Sequence, residues 1–292
     1  MEDSGLLTIH LFGGFRITAG NTAAPGFDQA RVQRLLAYLL LHRRVPRSRQ
    51  QIAFTLWPDT PDAQALTNLR TLLTRLRQAL PDAERFLDID THAVCWRQDS
   101  SFTLDVADFE AACVQAAAAE QRGQSANAIL ALERAVNLYT GDLLPGWYDE
   151  WLAPERERLR QAYVDALERL AALLEQRRSY RQALGYAQRL VRADPLYEAV
   201  YRQLMDLHLA LGDRASALRV YHTCVTILRH EMGVDPSPVT QAVYQRVLMV
   251  DASPAQQEPP AVGAAFVGRQ APWEALLSAW RQAAAGKTQV VL

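Results

Sequence analysis

The sequence predicts a mainly α protein, with a small α+β unit over residues 1–104 and an all-α helical-repeat domain over residues 105–250. Three observations predict this division. The apolar period alternates between two and 3.6 in the first hundred residues, then stays helical as far as Val250. Paired motifs in the second part recur at an interval of 34 residues: Ala183-Leu184 returns as Ala217-Leu218, and Leu170 and Leu174 as Leu204 and His208. Charge is also partitioned. Nine arginines lie between Arg31 and Arg77 against two acids, Asp59 and Asp62, an excess of seven. From Asp105 to Val250 there are 16 arginines against 19 acids.

Residues 6–18 alternate apolar and polar side chains around Gly13-Gly14, the pattern of a short hairpin or meander. Helical spacing follows from Ala30 to Arg43, with Val32, Leu35, Leu36, Leu39 and Leu40 on one face, and Pro46 ends it. Ser48 is placed to cap a second helix, and Gln51 three positions on completes a capping box. That helix stops near Trp57-Pro58, and a longer one is expected from Ala63 to Leu80. Alternation then returns from Phe86 to Leu104, with His92 near a tip, as expected of one hairpin. Three helices followed by a hairpin form a winged helix-turn-helix.

Behind it, helices are expected over 106–121, 125–138, 148–176, 180–192, 196–211, 213–230 and 237–249, and the 34-residue interval makes this domain TPR-like. Residues 251–264 are rich in Pro, Ala and Gln and read as a linker. Residues 265–292 read as the start of a third domain that stops inside a strand-like run.

The chain has 292 residues, enough for two domains that each bury a core, and a net charge of −1. Its 49% hydrophobic and 22% charged residues are ordinary for a globular protein. No apolar run approaches the length of a membrane span, and no basic leader precedes an apolar stretch. Three scattered cysteines form no CxxC pair, so a reducing cytoplasm is expected. Gly286-Lys287-Thr288 resembles the tail of a phosphate-binding loop, but the glycine that loop needs is Arg281 here. His222 and Cys224 sit two apart on a helix and face different ways, and no nucleophile–base or paired-carboxylate set stands out. Neither catalysis, nor a cofactor, nor a metal site is expected.

The helix from Ala63 to Leu80 carries the functional expectation. Leu66, Leu69, Leu72, Leu73, Leu76 and Leu80 fall on one stripe. Thr67, Thr71, Thr74, Arg75 and Gln78 lie opposite, flanked by Asn68, Arg70 and Arg77, and no acid occurs between Ala63 and Leu80. A solvated helix face mixes both signs; this one suits the major groove. Arg bonds guanine bidentately, Asn and Gln pair with adenine, and Thr offers a methyl and a hydroxyl. Thr67, Asn68, Arg70, Thr71, Thr74, Arg75 and Arg77 are therefore the expected base-reading residues. Arg31, Arg47, Arg49, His92 and Arg97 are expected around them, at phosphates and on the wing.

The strand-rich start, the segment Ser48 to Asp59 and the segment Asn68 to Leu80 resemble the OmpR-type winged helix of SARP-type activators. Residues 105–249 resemble the bacterial transcriptional activator domain that accompanies it, most closely at Tyr139 to Gly146, Trp151 to Arg160, Asp194 to Glu198, Leu211 to Asp213, Ala217 to Tyr221 and Leu228 to Pro238. Phe266-Val-Gly-Arg269 is similar to the opening of a STAND-type ATPase domain. The resemblance implies DNA contacts from Arg75 and Arg77, with Thr71 at a base-reading position. It also implies binding to promoter direct repeats as double-stranded DNA, recruitment of RNA polymerase partly through its sigma subunit, and a homodimer on DNA at the nucleoid. A TPR-type protein adaptor is the alternative reading, and the output arm of a nucleotide-driven ATPase a third.

Overall fold

The computed structural model describes residues 7–20, 22–80, 82–97 and 101–250. The expected linker and third-domain start, 251–292, lie outside the described residues.

The chain opens with β1 (Leu7–His10) and β2 (Arg16–Ala19), paired antiparallel with Leu7 opposite Ala19. Gly13 in the connection has φ +73, a left-handed conformation that costs a glycine little. A two-residue β3 (Thr22–Ala23) extends β2. Then come α1 (Ala30–Leu41), β4 (Arg47–Ser48), α2 (Arg49–Leu56) and α3 (Asp62–Ala79). The Ser48 capping box is present: its Oγ accepts from the Gln51 N–H at 3.1 Å, and Gln51 Oε1 accepts from the Ser48 N–H at 3.2 Å. A one-turn α4 (Ala83–Phe86) leads into β5 (Leu87–Ile89) and β6 (Ala93–Trp96).

The stretch from Phe86 to Leu104 is not one hairpin. β6 pairs antiparallel with β5 on one side and with β4 on the other, whereas β7 (Phe102–Leu104) crosses to the other sheet and lies parallel to β1. The sheet orders are β3-β2-β1-β7 and β4-β6-β5. Thr103 Oγ1 bonds Thr8 Oγ1 at 3.0 Å across 95 residues of sequence. Alternation marks a strand with one buried face but does not say which sheet it joins. Trp96 is buried in the hinge between the sheets, stacked on Phe86 at 5.5 Å and edge-on to Phe102 at 5.2 Å.

From Asp105 the described chain is helical: α5 (Asp105–Gln121), α6 (Ser125–Leu138), α7 (Leu152–Gln176), α8 (Tyr180–Ala193), α9 (Glu198–Ala210), α10 (Arg214–Met232) and α11 (Pro238–Met249). The 34-residue interval has a packing cause. Ala183 and Ala217 are fully buried at equivalent places and Leu170 and Leu204 are buried at theirs, while His208 is only half-buried where Leu174 is buried.

Helix α7 starts four residues later than expected because residues 139–151 form a strap against the N-terminal unit. Phe12 bridges to Leu143, the Gly13 N–H donates to Asp142 O at 2.9 Å, and the Leu144 N–H donates to Leu11 O at 2.9 Å. Phe15 stacks on Trp147, and Tyr38 meets Trp151 edge-on. Arg156 pins the strap from α7: its Nε donates to Leu143 O, and its Nη2 to the carbonyls of Leu144 and Trp147. One core therefore runs continuously from Ile9 and Phe12 through Leu36 and Leu76 to Phe109, Leu144 and Leu159. A second core runs from Ala116 of α5 through α6 to α10. The described residues up to Leu248 form one compact unit.

Candidate nucleic-acid interface

Helix α3 buries Ala65, Leu69, Leu72, Leu73 and Leu76 against α1 and α2. Leu66 departs from the expected stripe: it is half-buried and lines a groove with Phe54 and Trp57 of the α2 end, while Ala65 takes the core position. The far end of α3 is held close to the loop before α1. Gly26 there has φ +86, and a Cβ on it would come within 2.9 Å of the Ala79 Cβ.

The opposite face is open. Thr67, Arg70, Thr71, Thr74, Arg75, Arg77 and Gln78 are exposed, and Asn68 is half-buried with its Oδ1 accepting from Gln64 Nε2 at 3.0 Å. Asp62 opens the helix, where a carboxylate suits the positive end of the dipole, and no acid follows it to the last turn. All three threonine hydroxyls donate to the carbonyl one turn back: Thr67 to Ala63, Thr71 to Thr67 and Thr74 to Arg70, at 2.9, 3.2 and 3.1 Å. Arg75 Nη1 donates to Gln29 Oε1 at 2.9 Å, so the residue before α1 holds the guanidinium over the helix. Gln29 carried no signal in the sequence.

At the other end of α3 a cleft of about 390 Å³ lies between three elements. Arg70 and Leu69 come from α3, Ser48, Arg49 and Gln50 from the start of α2, and Thr91 and His92 from the turn joining β5 to β6. The Arg49 N–H donates to His92 O at 2.8 Å, which fixes the wing turn to the helix start. Asp90 shapes that turn by accepting from the N–H groups of His92 and Ala93, both at 2.6 Å, and these bonds hold its carboxyl below the ordinary range. An Asp two residues before the wing tip is a legible Asx signal, and Asp90 was missed. Arg47 donates from Nη2 to His42 Nδ1 at 3.1 Å. Burial, and then the charge of Arg47, depress the His42 pKa, so the ring is a neutral acceptor. The Nε atoms of Arg47 and Arg49 are buried with no hydrogen-bond partner among the described residues.

The structure thus gathers Arg49, Arg70 and His92 at one end of the exposed face. Arg31 stands apart from them, in a small polar recess with Arg34, Trp57, Leu72 and Asp149. Arg97 is not with either group. Its N–H donates to Phe86 O at 2.7 Å at the root of the β5–β6 hairpin, five residues along the chain from the His92 turn.

The basic block is less free than its count suggests. Arg34 Nε pairs with Asp149 at 2.9 Å and its guanidinium lies 5.6 Å from the Trp147 ring centre. Arg43 Nη2, largely buried, pairs with Glu110 at 2.6 Å, and Arg44 reaches the same carboxylate at 3.3 Å. Three of the nine arginines in the block are therefore engaged by acids of the helical part. Among the described residues no group of three His, Cys, Asp or Glu side chains is placed to hold a metal. Among them, too, no helix is long and apolar enough to cross a membrane.

A model of the bacterial transcriptional activator domain matches residues 104–248. Regulatory protein AfsR of Streptomyces coelicolor is 32% identical over 252 residues, 86% of this chain and 25% of AfsR. Transcriptional regulatory protein MoaR1 of Mycobacterium tuberculosis is 24% identical over 255 residues, 84% of this chain and 80% of MoaR1. The solved structure of Mycobacterium tuberculosis EmbR in complex with low affinity phosphopeptide matches with a TM-score of 0.69 at 22% identity, over 83% of this chain and 65% of that one. At that identity the likeness is one of fold. The chain spans about a quarter of the length of the AfsR relatives it matches. Residues 104–248 are thus a bacterial transcriptional activator domain, and the chain is similar over most of its length to the SARP-type transcriptional regulators.

Proposed function

We propose that this chain is a sequence-specific DNA-binding transcription activator. Helix α3 enters the major groove, and the β5–β6 wing reaches the adjacent minor groove. The helical part contacts RNA polymerase, its sigma subunit included, or a second protomer bound to the neighbouring direct repeat. Residues 1–104 are the DNA-binding unit, residues 105–250 the effector unit, and the chain acts at the nucleoid without cofactor or catalysis.

The observation that carries this reading is the exposed face of α3: three arginines, three threonines, a glutamine and no acid after Asp62, with Arg49 and His92 set beside its first turns. Such a face offers donors for guanine and phosphate, and nothing on it repels a polyanion. Two acids of the helical part that meet the N-terminal unit, Glu110 and Asp149, are already paired to Arg43, Arg44 and Arg34. They add little repulsion.

Selection of binding sites from random duplex DNA tests the reading, using the full chain and an Arg70→Ala/Arg77→Ala variant at two salt concentrations. The wild type is expected to enrich a repeated motif that the variant fails to enrich. An Arg49→Ala variant should keep the motif but bind every sequence more weakly, with a log–log salt slope shallower by about one. Weak, motif-free binding by wild type and variants alike would overturn the proposal in favour of a protein adaptor.

A further inference from the structure

We propose that the Thr67–Thr71–Thr74 stripe of α3 reads thymine 5-methyl groups, so that shape-fitted methyl contact, beside arginine hydrogen bonds, selects the bound sequence. This rests on the DNA-binding reading above and adds to it the chemistry recognised.

The three residues stand at i, i+4 and i+7, one line along the exposed side, and each is exposed. Each hydroxyl proton is spent inside the helix, on the carbonyls of Ala63, Thr67 and Arg70. These side chains therefore have no proton left to donate to a base or a phosphate. What they offer outward is a γ-methyl and an oxygen lone pair. A base edge that wants an apolar neighbour in the major groove is that of thymine, the base with a methyl there.

Stability does not explain the stripe. Threonine is a poor helix former, and back-bonding to the preceding turn weakens a helix slightly. Three of them at the exposed centre of an 18-residue helix gain no packing in return. The donors lie to either side, Arg70 beside the wing cleft and Arg75 steadied by Gln29. The methyl line therefore sits between two guanidinium groups, as a reader of mixed guanine and thymine steps would have it.

The test uses the full chain and the selected operator, with each thymine of one repeat replaced singly by deoxyuridine, which removes only the methyl. Two triple variants accompany it: Thr67, Thr71 and Thr74 all to Ser, which keeps the hydroxyls, and all to Val, which keeps the branched methyls. Wild type is expected to lose about three- to fivefold in affinity at one or more uridine positions, the effect of one methyl withdrawn from contact. The Val variant should show the same uridine sensitivity. The Ser variant should bind the thymine operator more weakly and be indifferent to uridine, while its thermal unfolding and salt slope stay those of the wild type. Full uridine tolerance by the wild type, or a Ser variant as sensitive as the wild type, overturns methyl reading while leaving specific binding intact. Failure to select any motif overturns the DNA-binding reading itself.

Discussion

Asp105, the first residue of α5, sits where the chain leaves β7 for the helical part, and its carboxylate is the buried acceptor on which the junction is organised. Its oxygens accept from the N–H groups of Leu11 at 2.8 Å, Phe12 at 2.9 Å and Val106 at 2.7 Å. Burial pushes its pKa up, while those bonds and the nearby His10 pull the other way. Leu11 and Phe12 leave β1 here and turn to meet the strap at Leu143 and Leu144, so their N–H groups have no strand to pair with. Asp105→Ala would leave those donors buried and unpaired, at about 1–3 kcal/mol for each unsatisfied group. A loss of roughly 3 kcal/mol in denaturant unfolding is expected, with DNA affinity at saturating fold unchanged. A loss well under 1 kcal/mol would mean that the junction is held by its apolar contacts alone. Nothing in the sequence singled out Asp105, because a lone acid at a helix start reads as an ordinary first-turn carboxylate.

At the scale of elements, local signals were legible and long-range ones were not. The Ser48–Gln51 box, the apolar stripe of α3 and the boundaries of α6, α8 and α11 follow from spacing within one helix, and all are found within a residue or so of their expected places. The transfer of β7 to the first sheet and the strap before α7 are settled by partners about a hundred or more positions away in sequence. No window of alternation or helical period can register them. The same holds for the basic face: α3 was recognisable as an acid-free helix, but its grouping with Arg49 and His92 depends on β4 pairing with β6 across Ser48 and Ala93. The capping box ties these scales together, since Ser48 is at once a β4 residue, the cap of α2 and a wall of the cleft. Ser48→Ala should cost about 1 kcal/mol of stability, the ordinary worth of an N-cap. It should also loosen the Arg49–His92 contact, read as a lower binding affinity at temperatures where the fold is intact. An affinity unchanged by the substitution would separate the cap from the wing.

Taken whole, the molecule joins its basic and its acidic parts through a small number of charges, and the excess of seven counted along the sequence is partly cancelled in space. Glu110 is the centre of that exchange: Arg43 and Arg44 reach it from the N-terminal unit, and Arg158 from α7 at 2.8 Å. Arg44 and Arg158 are well exposed and contribute little, whereas Arg43 and Glu110 are largely shielded from water. Burial pushes the Glu110 pKa up, but Arg43 and Arg158 outweigh it and hold the carboxyl below its ordinary 4.5. A depressed carboxylate stabilises the folded state once it is ionised in both states. Its contribution is therefore complete above about pH 4.5 and is lost as pH falls through the lower folded value. Glu110→Gln keeps the shape and removes the charge, leaving Arg43 with a neutral partner. At neutral pH the variant should be less stable than wild type by about 2 kcal/mol. Followed by urea unfolding from pH 7 downward, that gap should stay constant to about pH 4.5 and then close as wild-type Glu110 takes up its proton. A gap that persists into acid would show that Glu110 acts through packing. A gap that vanishes at neutral pH in high salt would place the pairs in solvent, where screening reaches them. Because Arg43 lies two residues beyond α1, which α3 packs against, the closing of this gap should also be accompanied by release of the N-terminal unit from the strap, detectable as Trp147 and Trp151 fluorescence that changes before the far-ultraviolet helix signal does.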